Sequence, residues 1–277
     1  DPSLLGYLLM QNNFPTVEVA IGSNLLIEPW ITDVVKINKS FVVKRDVSGR
    51  DLLLASKKMS EYIRFALQEK KHPVWIAQRE GRAKDRNDKT QSSLIKMLHL
   101  GAKHIGVLES YKQLHIVPVS ITYEYDSCDV LKAKELYLND RGEKYIKKPE
   151  DDMLSMKYGI VGLTARICYH FGKPIEYDDM SGTPDFNSIA EKVAQKIDNT
   201  IYENYKLFPS HYISYDLLNE ESVYSDFYSA EDKKNFLELI QHKIEILLPE
   251  YKDNEEFKKF VFIQYAYTYQ SFVCTLN

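Results

Sequence analysis

Residues 79 to 84 read Arg-Glu-Gly-Arg-Ala-Lys, three cations and a carboxylate arranged around one glycine. A planar guanidinium fork and a flexible ammonium are the side chains best suited to gripping a phosphate, and a glycine lets backbone approach the anion closely. A second basic pair, Lys44-Arg45, ends the run Phe41-Val42-Val43. Both clusters directly follow a short apolar run, Ser40–Val43 in one case and Val74–Ala77 in the other. Taken singly, such charges are better explained as solvated loop residues paired with Asp46, Glu80 and Asp85. The recurrence of one arrangement, a strand running into charge with a helix after it, points instead to the carboxyl edge of an α/β sheet, where ligands dock.

The elements that would position these residues are legible in the periodicity. Strands are expected at 17–21, 40–43, 74–77 and 116–123. Leu4, Leu5, Leu8 and Leu9 put an apolar face on a helix over 1–10, with a helix or irregular segment over 25–35. Leu52, Ala55, Met59, Ile63, Ala66 and Leu67 recur at helical spacing and predict an amphipathic helix over 50–70 facing the sheet. Further helices are expected at 90–100, 186–205, 230–248 and 254–275, and residues 126–152 read as a loop-rich excursion. The expected fold class is α/β, a mixed and largely parallel sheet flanked by helices, with one α/β domain over 1–180 and a helical portion over 181–277 packed on it. In such a sheet the ends at Lys44-Arg45, at 79–84 and at Val117-Pro118-Val119 would meet at one edge.

Composition narrows the classes. The 277 residues are 44% hydrophobic and 27% charged, an ordinary globular balance. Net charge is −4, so no overall basic field recruits nucleic acid, and an anion site must be local. Cys128, Cys168 and Cys274 are scattered and odd in number, which predicts reduced thiols and a cytoplasmic location rather than zinc ligands. No apolar run approaches the roughly 18 residues of a membrane span.

The order of motifs along the first part of the chain resembles the glycerolipid acyltransferases, the glycerol-3-phosphate and lysophosphatidate acyltransferases. Phe41-Val42-Val43-Lys44-Arg45 is similar to that family's second box, Glu80-Gly81-Arg82 to the third, and Val117-Pro118-Val119 to the fourth. The likeness is nearer to the bacterial membrane-associated glycerol-3-phosphate branch. Asp1-Pro2-Ser3-Leu4-Leu5-Gly6-Tyr7 resembles the run that begins at the aspartate of the first, His-x-x-x-x-Asp box. Ile121-Thr122-Tyr123-Glu124, Ala133-Lys134-Glu135-Leu136 and Phe171-Gly172-Lys173-Pro174 resemble later segments, so the likeness covers 1 to about 176. Two departures stand out. The histidine of the first box would precede Asp1, and the third box is one residue short. Aligning on Gly81-Arg82-Ala83-Lys84 keeps Arg82 and Lys84 in register and shifts Glu80 by one.

The resemblance implies transfer of a fatty acyl group from acyl-CoA, acyl carrier protein or an acyl phosphate to a hydroxyl of glycerol 3-phosphate. The family relatives that it leaves open are acyltransferases for lysophosphatidate or an amino-lipid, and a degenerate relative that only binds lipid phosphate. It assigns Asp1 as orienter of the upstream histidine, Glu80 as a second residue at the reacting centre, and Arg45, Arg82, Lys84, Gly81 and Lys44 as the phosphate clamp. No metal or other cofactor is expected. Acyl carrier protein is a possible partner. Contact with the inner face of the cell membrane is expected to be peripheral, through a segment ahead of Asp1 or the basic stretch Arg141, Lys144, Lys147 and Lys148.

Overall fold

The weak alternation near residue 17 folds as the strand Glu18–Gly22 (β1), hydrogen-bonded on both sides. Ser40–Val43 (β2) pairs with it in parallel from Val19 opposite Ser40 to Gly22 opposite Val43. On its other side Val74–Trp75 (β3) pairs in parallel, with Glu18 opposite Val74. Helix Pro2–Gln11 (α1) precedes β1, Pro29–Ile37 (α2) joins β1 to β2, and Gly49–Gln68 (α3) carries the chain across β1 to β3. After β3 come Ser92–His99 (α4), Val107–Lys112 (α5), Val119–Tyr123 (β4), Asp129–Asp140 (α6), Pro149–Val161 (α7) and Ile167–Phe171 (β5). Phe186–Glu203 (α8), Pro209–Asn219 (α9), Ala230–Leu247 (α10) and Glu255–Leu276 (α11) follow. The computed structural model describes residues 2–26, 28–44, 47–79, 81, 89–146, 149–162, 165–183 and 185–276, with side chains described at all of these except 24, 149 and 267–276.

The chain is α/β, with a small parallel sheet flanked by helices, but the strands among the described residues form two sheets rather than one. β4 pairs antiparallel with β5, from Val119 opposite Phe171 to Tyr123 opposite Ile167. Two units result, one of Asp1–Glu80, Lys89–Pro118 and Lys173–Asp198, the other of Gly81–Asp88, Val119–Gly172 and Asn199–Asn277. The stretch read as loop-rich contains α6 and α7. In α6, Val130, Ala133 and Tyr137 are buried at i, i+3 and i+7, a helical stripe hidden among charged neighbours.

In the first unit α3 covers one face of the parallel sheet. Its Tyr62 ring lies 4.8 Å from Phe41 of β2, and Ile63 and Ala66 are buried. Leu52, assigned to the same face by spacing, is 49% exposed, because the first turn of α3 runs past the end of the sheet-facing stripe. Ser60 fixes α3 to the end of α4: its Oγ donates to the Leu98 carbonyl (2.9 Å) and accepts from the Gly101 amide (2.9 Å). A Cβ on Gly101 would fall 2.8 Å from the Glu61 nitrogen, so glycine is what permits this approach. Arg64, one turn on, is 6% exposed and donates through Nη2 to Leu98 O, Ser110 O and Ser110 Oγ. Burial pushes its pKa down, and the bonds tie α3 to α4 and α5.

Turns into the strands use residues other than glycine in the left-handed region. Asn13 (φ 59) follows α1, with the Phe14 amide reaching Leu9 O and the Asn13 amide reaching Met10 O, the paired bonds of a Schellman C-cap. Lys39 (φ 53) and Lys71 (φ 56) turn the chain into β2 and β3.

Glu18 opens β1 at the amino edge and is 2% exposed. Its carboxylate accepts from Tyr62 Oη (2.7 Å), is hydrogen-bonded to His72 Nδ1 (2.9 Å) and is ion-paired with Lys70. Burial alone would push this carboxyl up; hydrogen bonds from Lys70, Tyr62 and His72 outweigh it and hold the pKa at about 2. The cluster locks the start of β1 to α3 and to the chain entering β3.

The second unit is built around α6, α9, α10 and α11, with Val130, Ile213, Phe236, Ile240, Phe257 and Tyr265 in one core. Burying each large apolar side chain contributes about 1.5–3 kcal/mol. An ion pair crosses that core: Lys243 Nζ of α10 lies 2.6 Å from Asp129 Oδ1 of α6, and Tyr265 Oη of α11 donates to Asp129 Oδ2 at 2.6 Å. Asp129 is fully buried, and the network is paired from three helices.

Two expectations follow for stability. Gly101→Ala is expected to cost about 1–3 kcal/mol, read as a lower denaturation midpoint at unchanged m-value. Because the folded pKa of Glu18 lies below its ordinary 4.5, its contribution is complete above pH 4.5 and is lost as pH falls toward 2. Glu18→Gln should therefore flatten the stability-versus-pH curve in that window by about 3 kcal/mol relative to the parent, and an unchanged acid limb would contradict the cluster's role.

Candidate functional site

Parallel pairing puts the carboxyl ends of β1, β2 and β3 at a single edge. Gly22 and Val43 end β1 and β2 side by side, while the two residues of β3 pair only with the start of β1, Val74 opposite Glu18 and Trp75 opposite Val19. With strands about 4.8 Å apart, β2 and β3 lie roughly 10 Å apart on opposite sides of β1. Helix α3 starts at Gly49, shortly beyond β2, so its unpaired amides and the positive end of its dipole lie toward this edge. Helix α4 begins there too, since the Gln91 amide that precedes it donates to the Gln78 carbonyl beyond β3 (3.0 Å). Local charge is what a parallel edge of this kind offers an anion.

Lys44 stands at this edge, exposed, directly after Val43. Gly81 is exposed with φ 80, and a Cβ there would meet nothing within 4 Å. Its conformation, rather than crowding, favours glycine. Asp1, Arg45, Glu80, Arg82 and Lys84 lie outside the described residues. The third expected strand end does not join the parallel edge. Val117-Pro118 precedes β4, and β4 is committed to the antiparallel ladder with β5. Its burial alternates along the strand, as expected for a ribbon with two unlike faces, and the partner strand Ile167–Phe171 had not been anticipated.

One feature of the edge was not apparent in the sequence. Thr90, where the chain returns toward α4, is buried, and both its amide (2.8 Å) and its Oγ1 (2.6 Å) donate to the same oxygen, Oδ1 of Asp198 in α8. Burial pushes the Asp198 carboxyl up from its ordinary value, against the opposing effect of the Thr90 bonds and the Lys89 charge. The two residues are 108 positions apart, and no local pattern marks them as partners.

His72 and His99 have structural surroundings. His72 bonds Glu18. His99 is buried with its ring 5.3 Å from Phe186, and burial, then the charges of Arg64 and Lys103, push its pKa down. His115 is exposed at φ 47, in the turn after α5. Glu124, beside the site by sequence, is held in a two-pronged pair with Arg166 (Nε 2.9 Å, Nη2 2.7 Å). In the basic stretch, Arg141 lies 3.3 Å from Glu256 and 5.4 Å from the Tyr137 ring centre, while Lys147 and Lys148 lie outside the described residues. Arg141 is therefore engaged within the protein. Among the described residues no group of three or more His, Cys, Asp or Glu side chains could hold a metal ion, and no helix is long and apolar enough to cross a membrane.

Compared with protein-family models, with curated proteins and with solved structures, the chain matches none of them.

Proposed function

We propose that this protein is an O-acyltransferase that carries a fatty acyl group from an acyl thioester or acyl phosphate to a hydroxyl of glycerol 3-phosphate. One observation carries the reading: β2 and β3, the strands that precede the second and third motif boxes, run parallel on opposite sides of β1. The two strands that precede the basic segments are thereby held about 10 Å apart. The amino ends of α3 and α4 add favourable dipoles at that edge.

The chemistry needs a base and a clamp. A hydroxyl is a poor nucleophile at neutral pH, so a histidine upstream of Asp1 takes its proton as the oxygen attacks the acyl carbonyl. Asp1 accepts the other imidazole N–H and fixes the tautomer. The new C–O ester bond forms, the C–S or C–O bond to the leaving group breaks, and the proton passes from the imidazolium to that group. Arg45, Arg82 and Lys84, with Lys44, hold the acceptor phosphate, so that the hydroxyl attacks from a fixed position. Glu80 orients a glycerol hydroxyl or one of the guanidinium groups.

Substrate and product both suit a protein that touches a bilayer without crossing it. Trp30, Val34 and Ile37 recur at i, i+4 and i+7 on the exposed side of α2, while Ile31 is buried on its other side. An exposed aromatic-aliphatic stripe on a short helix is what an interfacial contact requires.

Arg82→Ala is expected to weaken the transition-state complex by about 2–5 kcal/mol, a fall in kcat/KM for glycerol 3-phosphate of at least about 30-fold, with the KM for the acyl donor unchanged. Equal use of glycerol and glycerol 3-phosphate by the parent would contradict a phosphate clamp. Asp1→Asn should keep its circular dichroism spectrum and lose turnover on the order of 10³-fold or more. Parental rates in that variant would break the match to the first box.

A further inference from the structure

The buried carboxylates Glu18 and Asp129 each face a cation, Lys70 and Lys243. Arg64 does not follow that pattern. It is 6% exposed, yet among the described residues it has no carboxylate partner. Only its Nη2 is bonded, to the Leu98 and Ser110 carbonyls and to Ser110 Oγ. Its Nε and Nη1 are buried and find no acceptor among the described residues. More than half of the guanidinium's N–H donors are therefore unused, together with its charge. A buried cation in that state is costly, and an anion is what would relieve it.

Arg64 lines a cavity of about 280 Å³ that lies wholly within the first unit. Glu61, Arg64 and Gln68 recur at i, i+3 and i+7, which puts them on one face of α3, and Glu69 joins them on the lining. The opposite wall includes His104 and Gln113, on either side of α5. Gln68 Nε2 donates to Gln113 Oε1 across a long 3.4 Å, so the two walls are only loosely joined there. Depth sorts the charges. Arg64 is buried, whereas Glu61 and Glu69 are exposed, and the Lys57 contact to Glu61 is a loose 3.6 Å.

We propose that this cavity binds a small zwitterion of the α-amino acid class, its carboxylate inward at Arg64 and its ammonium outward at Glu61 and Glu69. An inorganic phosphate would suit the guanidinium but would meet two repelling carboxylates on the way in. A simple amine would suit the carboxylates and meet a buried cation beyond them. A ligand with both signs a few bonds apart satisfies both, and like-charge juxtaposition disfavours the alternatives. The Nη2 bonds hold the guanidinium in place before a ligand arrives, so little ordering is left to oppose binding. The volume is that of a site for a small molecule, near the lower end of such pockets. The inference does not rest on acyl transfer: the cavity lies along the second half of α3, and it is the first turn of that helix that stands at the carboxyl edge.

Glycine, acetate and methylamine separate the two ends, since glycine is acetate with an ammonium added. Each is titrated into the intact protein, with leucine and inorganic phosphate alongside. Nuclear magnetic resonance follows the Arg64 Nε–H and the side-chain amides of Gln68 and Gln113. Glycine and leucine should shift these signals saturably, and acetate should bind roughly tenfold more weakly than glycine. Glu61→Gln combined with Glu69→Gln should weaken glycine by about threefold and leave acetate no weaker than in the parent. Arg64→Lys should weaken glycine and acetate alike, by about tenfold or more. That variant also loses bonds to α4 and α5, so the paired glutamine variant, made at exposed positions, decides the matter if Arg64→Lys does not fold.

Equal affinity for acetate and glycine, unmoved by the paired variant, would refute the zwitterion assignment. Stronger shifts with phosphate than with glycine would refute it too. No saturable shift with glycine or leucine would remove the site altogether and leave Arg64 as a structural tie among α3, α4 and α5. Loss or retention of acyl-transfer activity bears on none of these outcomes, so this inference and the functional reading fail separately.

Discussion

Parallel hydrogen bonding of β1 to a strand on each side is the constraint on which the first unit depends. It gives all three strands one polarity, so the sheet has two chemically different edges. At the amino edge Glu18 gathers Tyr62, Lys70 and His72 into a buried ionic cluster, which fastens β1, α3 and the approach to β3. At the carboxyl edge the chain departs into charge and the amino ends of α3 and α4 arrive. The edge that is internally neutralised holds the sheet together. The edge where helix amino ends arrive is where an anion is favoured, although Asp51 in the first turn of α3 already answers part of that helix's dipole.

Buried charge is handled alike in the two units, by pairing it from several elements at once. Glu18 has partners from α3 and from the α3–β3 turn, and Asp129 has partners from α10 and α11. Such pairs add little net stability over a well-packed apolar alternative, because desolvation offsets most of the Coulomb gain. Breaking one is costly, which makes each a strong condition on register. Glu18 can reach Tyr62 and Lys70 only if β1 starts where it does. Asp129 can reach Lys243 and Tyr265 only if α6, α10 and α11 stand in one arrangement. Asp198 follows the same logic with neutral donors, and it applies that logic to the end of a loop.

How much of this was legible in the sequence depended on the range of the interactions. β2 falls on Ser40–Val43, the run read as a strand, and α3, α8, α10 and α11 lie within a few residues of the expected spans, because each has a long periodic pattern. The stripe of α6 was overlooked since Lys132, Lys134 and Glu135 interrupt it, and α7 opens with Glu150, Asp151 and Asp152, which read as loop although acids in a first turn favour a helix. β5 ends in the exposed His170 and Phe171, so it lacks the apolar run that would announce a strand. Without β5, β4 reads as a member of the parallel sheet and the Val117-Pro118-Val119 end as part of its carboxyl edge; the antiparallel ladder rules out both. For the candidate site, local features such as the Lys44 position and the positive φ of Gly81 could be anticipated from charge and glycine placement. The Glu18 cluster and the Thr90–Asp198 clasp could not, as each depends on partners 44 to 108 residues away with no motif of their own.

The central claim is that the carboxyl edge of β2, β1 and β3 receives the acceptor phosphate. A crystal structure of the intact protein with glycerol 3-phosphate bound tests it most directly. Phosphate density is expected at that edge, between the chain leaving β2 at Lys44 and the stems that meet at Gln78 and Gln91. Density at the amino edge beside Lys70 and His72, or among the helices of the second unit, would contradict it.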